Sequence, residues 1–274
     1  MKYFIRKELF KSLLLPVLFI VPALSSYAQK KKTDVSIRVL SYNIHHCNPP
    51  SKAKEGLIDI QAIAKVIRDS KADLVALQEV DVHTARSGKD VHQARELAKL
   101  TEMHAFFVKT IDHQGGDYGI AVLSKYPILD SAAYKLPMQE GSGGEPRGLA
   151  VITIQLKGGK KLRFASTHLD LKAVNKPLQA AELIRLLDNG KTPVILGGDF
   201  NSVPDSEVIS ILDKAFTRTC TGNCGFTIPE VNPNRTIDYI MFRKPGQLEV
   251  LSHRVINEPY ASDHLPIVAE FKVK

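Results

Sequence analysis

The sequence predicts an α/β sandwich, in which sheets pack on sheets and helices lie outside them. Three observations carry this. Short apolar runs of strand length recur along the chain from Val35 onward. Stretches of helical periodicity separate some of these runs, as crossovers do, and tight turns join others, as in hairpins. No Pro/Gly-rich linker, internal repeat or low-complexity tract divides the body, so it reads as one domain.

The elements follow in order. "VSIRVLSYN" (35–43) alternates Val, Ile and Leu with polar residues and reads as a strand. "IDIQAIAKVIRDS" (58–70) puts Ile60, Ile63, Ala64 and Ile67 on one helical face. "ADLVALQEV" (72–80) is a buried strand and "VHQARELAKLT" (91–101) a helix. "HAFFVKT" and "YGIAVLSK" are strands, and "LAVITIQL" and "KLRFASTHL" form a hairpin around Gly158-Gly159. "PLQAAELIRLLDN" (177–189) is a helix with Gly190 after it. "PVILGGDF" (193–200) is a strand, "SEVISILDK" (206–214) a short helix, and "TIDYIMFR" (236–243) and "PIVAEFKV" (266–273) the last two strands. The loop "GSGGEP" (141–146) reads as flexible and not as a phosphate cradle, since no helix follows it.

Ahead of this body, Lys2, Arg6, Lys7 and Lys11 precede an apolar run from Leu13 to Leu24, and Ser26-Tyr27-Ala28 supplies the small residues that a signal peptidase reads. Residues 1–28 are read as a secretory signal, cleaved before Gln29, the alternative being an uncleaved N-terminal anchor. The run is short and broken by Pro16 and Pro22, so no transmembrane span is expected in the mature chain, which would be exported to a periplasmic or extracellular space. The whole chain of 274 residues carries +8; the signal contributes four bases and Glu8, leaving +5, and without Lys30, Lys31 and Lys32 the body is at +2. A protein that grips a duplex wants a basic stripe, and no long one is present. Export permits disulfides. Cys220 and Cys224 close the short loop "CTGNC" as a bridge or stand as two thiols, a zinc knuckle being the weakest option, while Cys47 is left over.

The polar residues that break the apolar pattern fall at strand ends. Asn43 ends the first strand, Glu79 the second, His168 follows "FAST", Asp199 and Asn201 follow "VILGG", Asp238 interrupts "TIDYIMF", and Asp263-His264 precede the last strand. Each alone fits an Asx turn, a cap or a solvated loop. Together they place several carboxylates against buried sheet, where an unpaired charge costs several kcal/mol or so. A cation would relieve that cost, and oxygen donors without Cys point to Mg²⁺ or Mn²⁺. Acids and imidazoles around such an ion suit attack of water on phosphorus.

"LSYNI", "LQEV", "GIAVLSKYPI", "STHLD", "GGDFN", "IDYI" and "SDHLPI", in this order over roughly residues 36–272, resemble the endonuclease/exonuclease/phosphatase superfamily, which includes pancreatic deoxyribonuclease, neutral sphingomyelinases and inositol polyphosphate phosphatases. "GGDFN" and "SDHLPI" are its specific pieces. The resemblance implies a four-layer α/β/β/α sandwich of two central mixed sheets and a divalent-metal phosphoesterase over residues 29–274. It implies Glu79 as the main metal ligand, with Asn43 and Asp263 beside it. It implies His264 as base or phosphate-polarising group, oriented by Asp238, with Asp263 turned to the metal and His264 to the phosphate. His168 would lie near the phosphate, and Asp199 and Asn201 would position water or the leaving oxygen and contact the phosphate. The water-activating group is either Asp199 or the Asp238–His264 pair.

Other residues are read more plainly. Arg147, at a strand start, is either a phosphate contact or a structural arginine. His45, His46 and Cys47 are read as lining a loop and not as a metal site. Arg86 is read as solvated and Tyr118 as a packing aromatic. A monomer acting on a small or lipid-derived phosphoester is expected. A secreted nuclease on the same scaffold is the alternative, and a catalytically inactive binding module is disfavoured because every expected polar position is filled.

Overall fold

Twelve strands and four α-helices, with two short 3₁₀ segments, make up the fold in a computed structural model that describes Met1, Tyr3 and residues 35–188, 190, 192–243 and 247–274. The chain divides into two units, Met1–Lys32 and Thr33–Lys274. The secretory segment read over residues 1–28, its cleavage position after Ala28 and the Lys30–Lys32 stretch lie outside the described residues, Met1 and Tyr3 apart.

Within Thr33–Lys274 two six-stranded mixed sheets are stacked. The first contains β1 (Val35–Asn43), β2 (Leu74–Val82), β3 (His104–His113), β4 (Gly116–Ser124), β11 (Leu248–Val255) and β12 (Ile267–Val273), in the order β11-β12-β1-β2-β4-β3. The second contains β5 (Ile128–Lys135), β6 (Gly148–Gln155), β7 (Lys161–His168), β8 (Val194–Asp199), β9 (Phe216–Arg218) and β10 (Asp238–Arg243), in the order β5-β6-β7-β8-β10-β9. Helices α1 (Ile60–Ser70) and α2 (Gln93–Thr101) accompany the first sheet, and α3 (Lys176–Leu187) and α4 (Glu207–Leu212) the second. Each sheet has one parallel pair at its centre, β1 with β2 and β7 with β8, joined through α1 and α3 as parallel pairing requires.

Three apolar layers fill the stack. Ile37, Val39, Ile152, Phe164, Ile195 and Phe271 belong to the core between the sheets. Leu40, Tyr42, Val75 and Leu77, from the opposite faces of the same strands, pack with Ile63, Ile67 and Leu97 of α1 and α2. Leu196 and Val151 pack with Leu183 and Leu212 of α3 and α4. The central strands are buried on both faces, which is why they read as near-continuous apolar runs. The four-layer expectation holds.

The helices start where their caps dictate. The Asp59 carboxylate accepts from the Ala62 N–H at 2.9 Å, and the Ser206 hydroxyl oxygen from the Ile209 N–H at 3.4 Å, so α1 and α4 begin one or two residues later than periodicity alone suggests. Strands β5, β9 and β11 go beyond the sequence reading: all three lie at sheet edges, and β5 and β11 are largely exposed, so they lack the apolar run that marks a central strand.

Strand β2 runs on to Val82 instead of ending near Glu79, with a register break between Leu77 and Val80. Glu79 sits in this bulge at φ 58 and is turned out of the ladder. Two residues on, Asp81 is fully buried. Arg86 Nε and Nη2 donate to its two oxygens at 2.7 and 2.9 Å, and Thr84 and Ser87 donate from their hydroxyls at 2.8 and 2.6 Å. Arg86 is therefore not a solvated loop residue, because a buried carboxylate requires a cation. Burial works against the Asp81 charge, and Arg86, Ser87 and Thr84 outweigh it, holding the carboxyl below its ordinary range. Loop 141–146 is likewise tied down. The Asn175 amide donates to Ser142 Oγ at 3.0 Å, and a methyl added at Gly144 would stand 2.1 Å from the Asp170 carboxylate.

The sheets approach closely at Gly197 of β8. A Cβ on Gly197 would lie 2.8 Å from Ala76 Cβ and 3.2 Å from Ser41 Cβ across the gap. Gly197→Val is expected to cost about 1–3 kcal/mol by overpacking, read as a lower denaturant midpoint with an unchanged slope. Arg86→Met is expected to cost about 3–5 kcal/mol at neutral pH by leaving Asp81 buried without its cation. The stabilisation from a carboxyl whose folded value is lowered is present above its unfolded value, about 3.9, and is lost as pH falls through the folded one. Unfolding curves of the two proteins should therefore converge in acid.

Candidate active site

The carboxyl ends of the two parallel strand pairs meet at one end of the stack. Asn43 closes β1, His168 closes β7 and Asp199 closes β8, while Asp238 opens β10 directly opposite Asp199. Glu79 is presented by the β2 bulge. His264 is brought in by the loop before β12, where the Ser262 hydroxyl donates to the Asn43 carbonyl at 2.7 Å and its oxygen accepts the His264 N–H at 3.3 Å. Six of the nine site residues singled out in the sequence, Glu79, Arg147, His168, Asp199, Asn201 and His264, thus line one cleft of about 400 Å³.

Asp199 is the centre. Its Oδ2 accepts from Asn43 Nδ2 at 3.1 Å, lies 3.4 Å from His168 Nε2 and 3.8 Å from His264 Nε2, while its Oδ1 accepts from the Asn201 N–H at 2.8 Å. Burial, then the Asp238 charge beside it, push the Asp199 carboxyl up to about 7 against the pull of His264 and the N–H donors. His264 Nδ1–H donates to Asp238 Oδ2 at 2.9 Å. Burial disfavours a charged ring there, but Asp238, with Asp199 and Asp263 behind it, overrides this and lifts His264 to about 10. Asp238 thus favours the imidazolium form of His264, the form that can hold an anionic oxygen.

His168 is the opposite case. Burial, with Arg147 and His264 alongside, holds it well below its ordinary value. Arg147 Nη1 donates to its Nδ1 at 3.2 Å, so the neutral ring carries its proton on Nε2, toward Asp199. The Asn201 amide Nδ2, 3.1 Å from that Nε2, donates instead to the Leu169 carbonyl at 2.9 Å. Arg147 is nearly buried, pairs with Glu145 at 2.9 Å, and keeps an Nε–H without a protein acceptor.

Asn43 differs in detail from its expected role. Its Nδ2 donates to Glu79 Oε1 at 3.0 Å as well as to Asp199, and its Oδ1 accepts from the His45 N–H at 3.1 Å. It ties the two carboxylates together, and would have to turn its amide to offer oxygen to a cation. Asp263 belongs to neither group of ligand atoms close enough to share an ion; those among the described residues are His45, His46 and Glu79, and Asp199, Asp238 and His264. Its charge is nevertheless felt at His46 and His264. Two carboxylates joined by one amide, a free second oxygen on Glu79, and Asp238 Oδ1 buried without a partner form a donor set that fits a divalent ion.

Tyr118, read from the sequence as a packing aromatic, lines the cleft wall, its phenol pushed up by burial and by Glu79, and Arg86 lies 5.6 Å from its ring centre. Arg235, not singled out in the sequence, comes from the loop before β10. Neither carries a local motif. The Cys220–Cys224 bridge is formed, and Cys47 is a buried free thiol. Among the described residues no helix is long and apolar enough to cross a membrane.

Comparison with known proteins agrees with this geometry. The chain is 25% identical to a putative neutral sphingomyelinase of Drosophila melanogaster, covering 87% of this chain and 61% of that protein. It is 24% identical to an inositol phosphosphingolipids phospholipase C of Schizosaccharomyces pombe, covering 61% and 42%. It therefore spans less than two thirds of the length of either relative. The crystal structure of an endonuclease/exonuclease/phosphatase from Bacteroides vulgatus has the same fold, with a TM-score of 0.72 at 21% identity, covering 88% of this chain and 100% of that one. Residues 40–264 match the Endonuclease/Exonuclease/phosphatase family, whose members hydrolyse phosphoesters, and the chain belongs to that family.

Proposed function

We propose that this chain is an exported, divalent-metal-dependent phosphoesterase that cleaves a phosphodiester or phosphomonoester of a small or lipid-derived substrate. The observation that carries this reading is the meeting of Asp199, the Asp238–His264 pair, neutral His168 and Arg147 around one cleft, with Glu79 at its edge. In this reading Asp199, raised to about 7, takes the proton of the attacking water. Imidazolium His264 and the Arg147 guanidinium on the cleft wall hold the phosphoryl oxygens as charge develops on them. Asp238 fixes the His264 ring, and the His168 Nε2–H keeps Asp199 oriented. Mg²⁺ or Mn²⁺, held by Glu79 with Asn43 once its amide turns, would supply Lewis-acid neutralisation of the phosphate.

The substrate class is supported by the two relatives, named for phosphosphingolipids and sphingomyelin, and by Leu171 on the cleft wall, which is 71% exposed and offers an apolar contact. Export is supported by the Cys220–Cys224 bridge, of a kind that persists in oxidising compartments. The nuclease reading is less favoured because the sequence of the body has no long basic stripe.

A metal-supplemented screen of purified protein against phospholipids, nucleic acids, inositol phosphates and sugar phosphates tests the substrate. On the substrate found, chelator should abolish turnover and Mg²⁺ or Mn²⁺ restore it, with Glu79→Gln losing most activity while the circular dichroism stays native; full turnover in excess chelator would refute metal dependence. His264→Ala should lower turnover by roughly 10²–10⁴. Asp238→Asn should lose a large part of the same factor, and the double variant should be little worse than His264→Ala, since groups acting as one unit are not additive. Strictly additive losses would mean that the two act separately.

A further inference from the structure

The turn that follows β1 has a construction that a cleft built on hard oxygen ligands does not need. His45, His46 and Cys47 have φ of 44, 41 and 61°, three successive residues in the left-handed region that L-residues enter reluctantly. In extended chain, neighbouring side chains point to opposite sides. This turn instead brings two adjacent imidazoles together, with ring centres 4.5 Å apart and ring planes at 60°.

Several contacts impose the turn. The Ile44 N–H donates to the Gln78 carbonyl at 3.1 Å, next to Glu79. Gln93 Nε2 donates to the His46 carbonyl at 2.6 Å, while Gln93 Oε1 accepts from the Asp81 N–H at 2.8 Å. The Cys47 side chain is sunk in the core beside α1 and plays no part in the cluster. The bulge of β2 turns Glu79 toward the same place, and the ligand atoms of His45, His46 and Glu79 lie within 4.8 Å of one another.

The rings are set up as ligands. His45 Nδ1 stands 2.8 Å from the Asn48 carbonyl oxygen, which can only accept, so Nδ1 carries the proton and Nε2 presents its lone pair. Proteins orient metal-ligating histidines in this way. His46 Nδ1 is buried without a hydrogen-bond partner. Arg86, which lies near His46, is committed to Asp81. Two imidazole nitrogens and one carboxylate are a borderline donor set, suited to Mn²⁺, Co²⁺ or Zn²⁺, whereas Mg²⁺ favours oxygen alone.

We infer that His45, His46 and Glu79 form a nitrogen–oxygen site that binds a first-row transition ion in preference to Mg²⁺. The inference rests on the proposed function only in sharing Glu79.

The test is a Co²⁺ titration of the metal-free full chain in excess Mg²⁺, read by visible absorption and by paramagnetically shifted, exchangeable imidazole N–H resonances in proton NMR. One bound Co²⁺ with two such resonances is expected. His45→Ala and His46→Ala should each remove one resonance and weaken Co²⁺ binding by about tenfold or more. His45→Gln and His46→Gln carry the same test if the alanine variants fail to fold. Unchanged Co²⁺ affinity in the histidine variants, or no Co²⁺ binding in the presence of excess Mg²⁺, would overturn the inference while leaving the phosphoesterase reading intact. Co²⁺ held through both histidines in a protein that turns over no phosphoester with any metal would do the reverse.

Discussion

A carboxylate buried where two sheets meet is the constraint around which this molecule is organised. Asp199 has almost no access to water, and its nearest neighbour across the ladder is a second acid, Asp238. Left alone, the pair would be among the costliest arrangements a core can hold. Asn43 and the Asn201 N–H donate to Asp199, His264 lies between the two acids, and His168 faces Asp199 from the neighbouring strand. Each of these partners comes from a different strand end or loop, so satisfying the charge also fixes the relation of the first sheet to the second. Chemical competence and sheet packing are thus one problem with one solution.

Much of this was legible in the sequence, for a physical reason. Central strands buried on both faces must be apolar throughout, so an acid or amide in "VILGGDF" or "TIDYIMF" stands out. Asn43, His168, Asp199, Asp238 and His264 all declared themselves this way. The edges did not. Strands β5 and β11 pair on one side only and are largely exposed, so "ILDSAAYK" and "LEVLSHRV" have no pattern to distinguish them from loop.

Conformation was less legible than position. Nothing local in "LQEV" announces that Glu79 sits in a bulge at positive φ, nor in "NIHHC" that three residues run left-handed. Both follow from contacts distant in sequence, such as Gln93 to His46 and β2 to β4. Arg86 was misjudged for the same reason: its partner Asp81 is sequence-near, but the burial that makes the pairing necessary belongs to the sheet. Tyr118 and Arg235 reach the cleft only through topology.

The bond from Ser262 to the Asn43 carbonyl joins the loop before the final strand to the end of the first one. Strand β12 lies between β11 and β1, so the opening strand keeps an unpaired side until the closing strand arrives. Everything up to β10 precedes His264 in the chain, so Asp199 lacks this neighbour until the loop before β12 is made. The cleft is therefore completed by one of the last segments of the fold to be made.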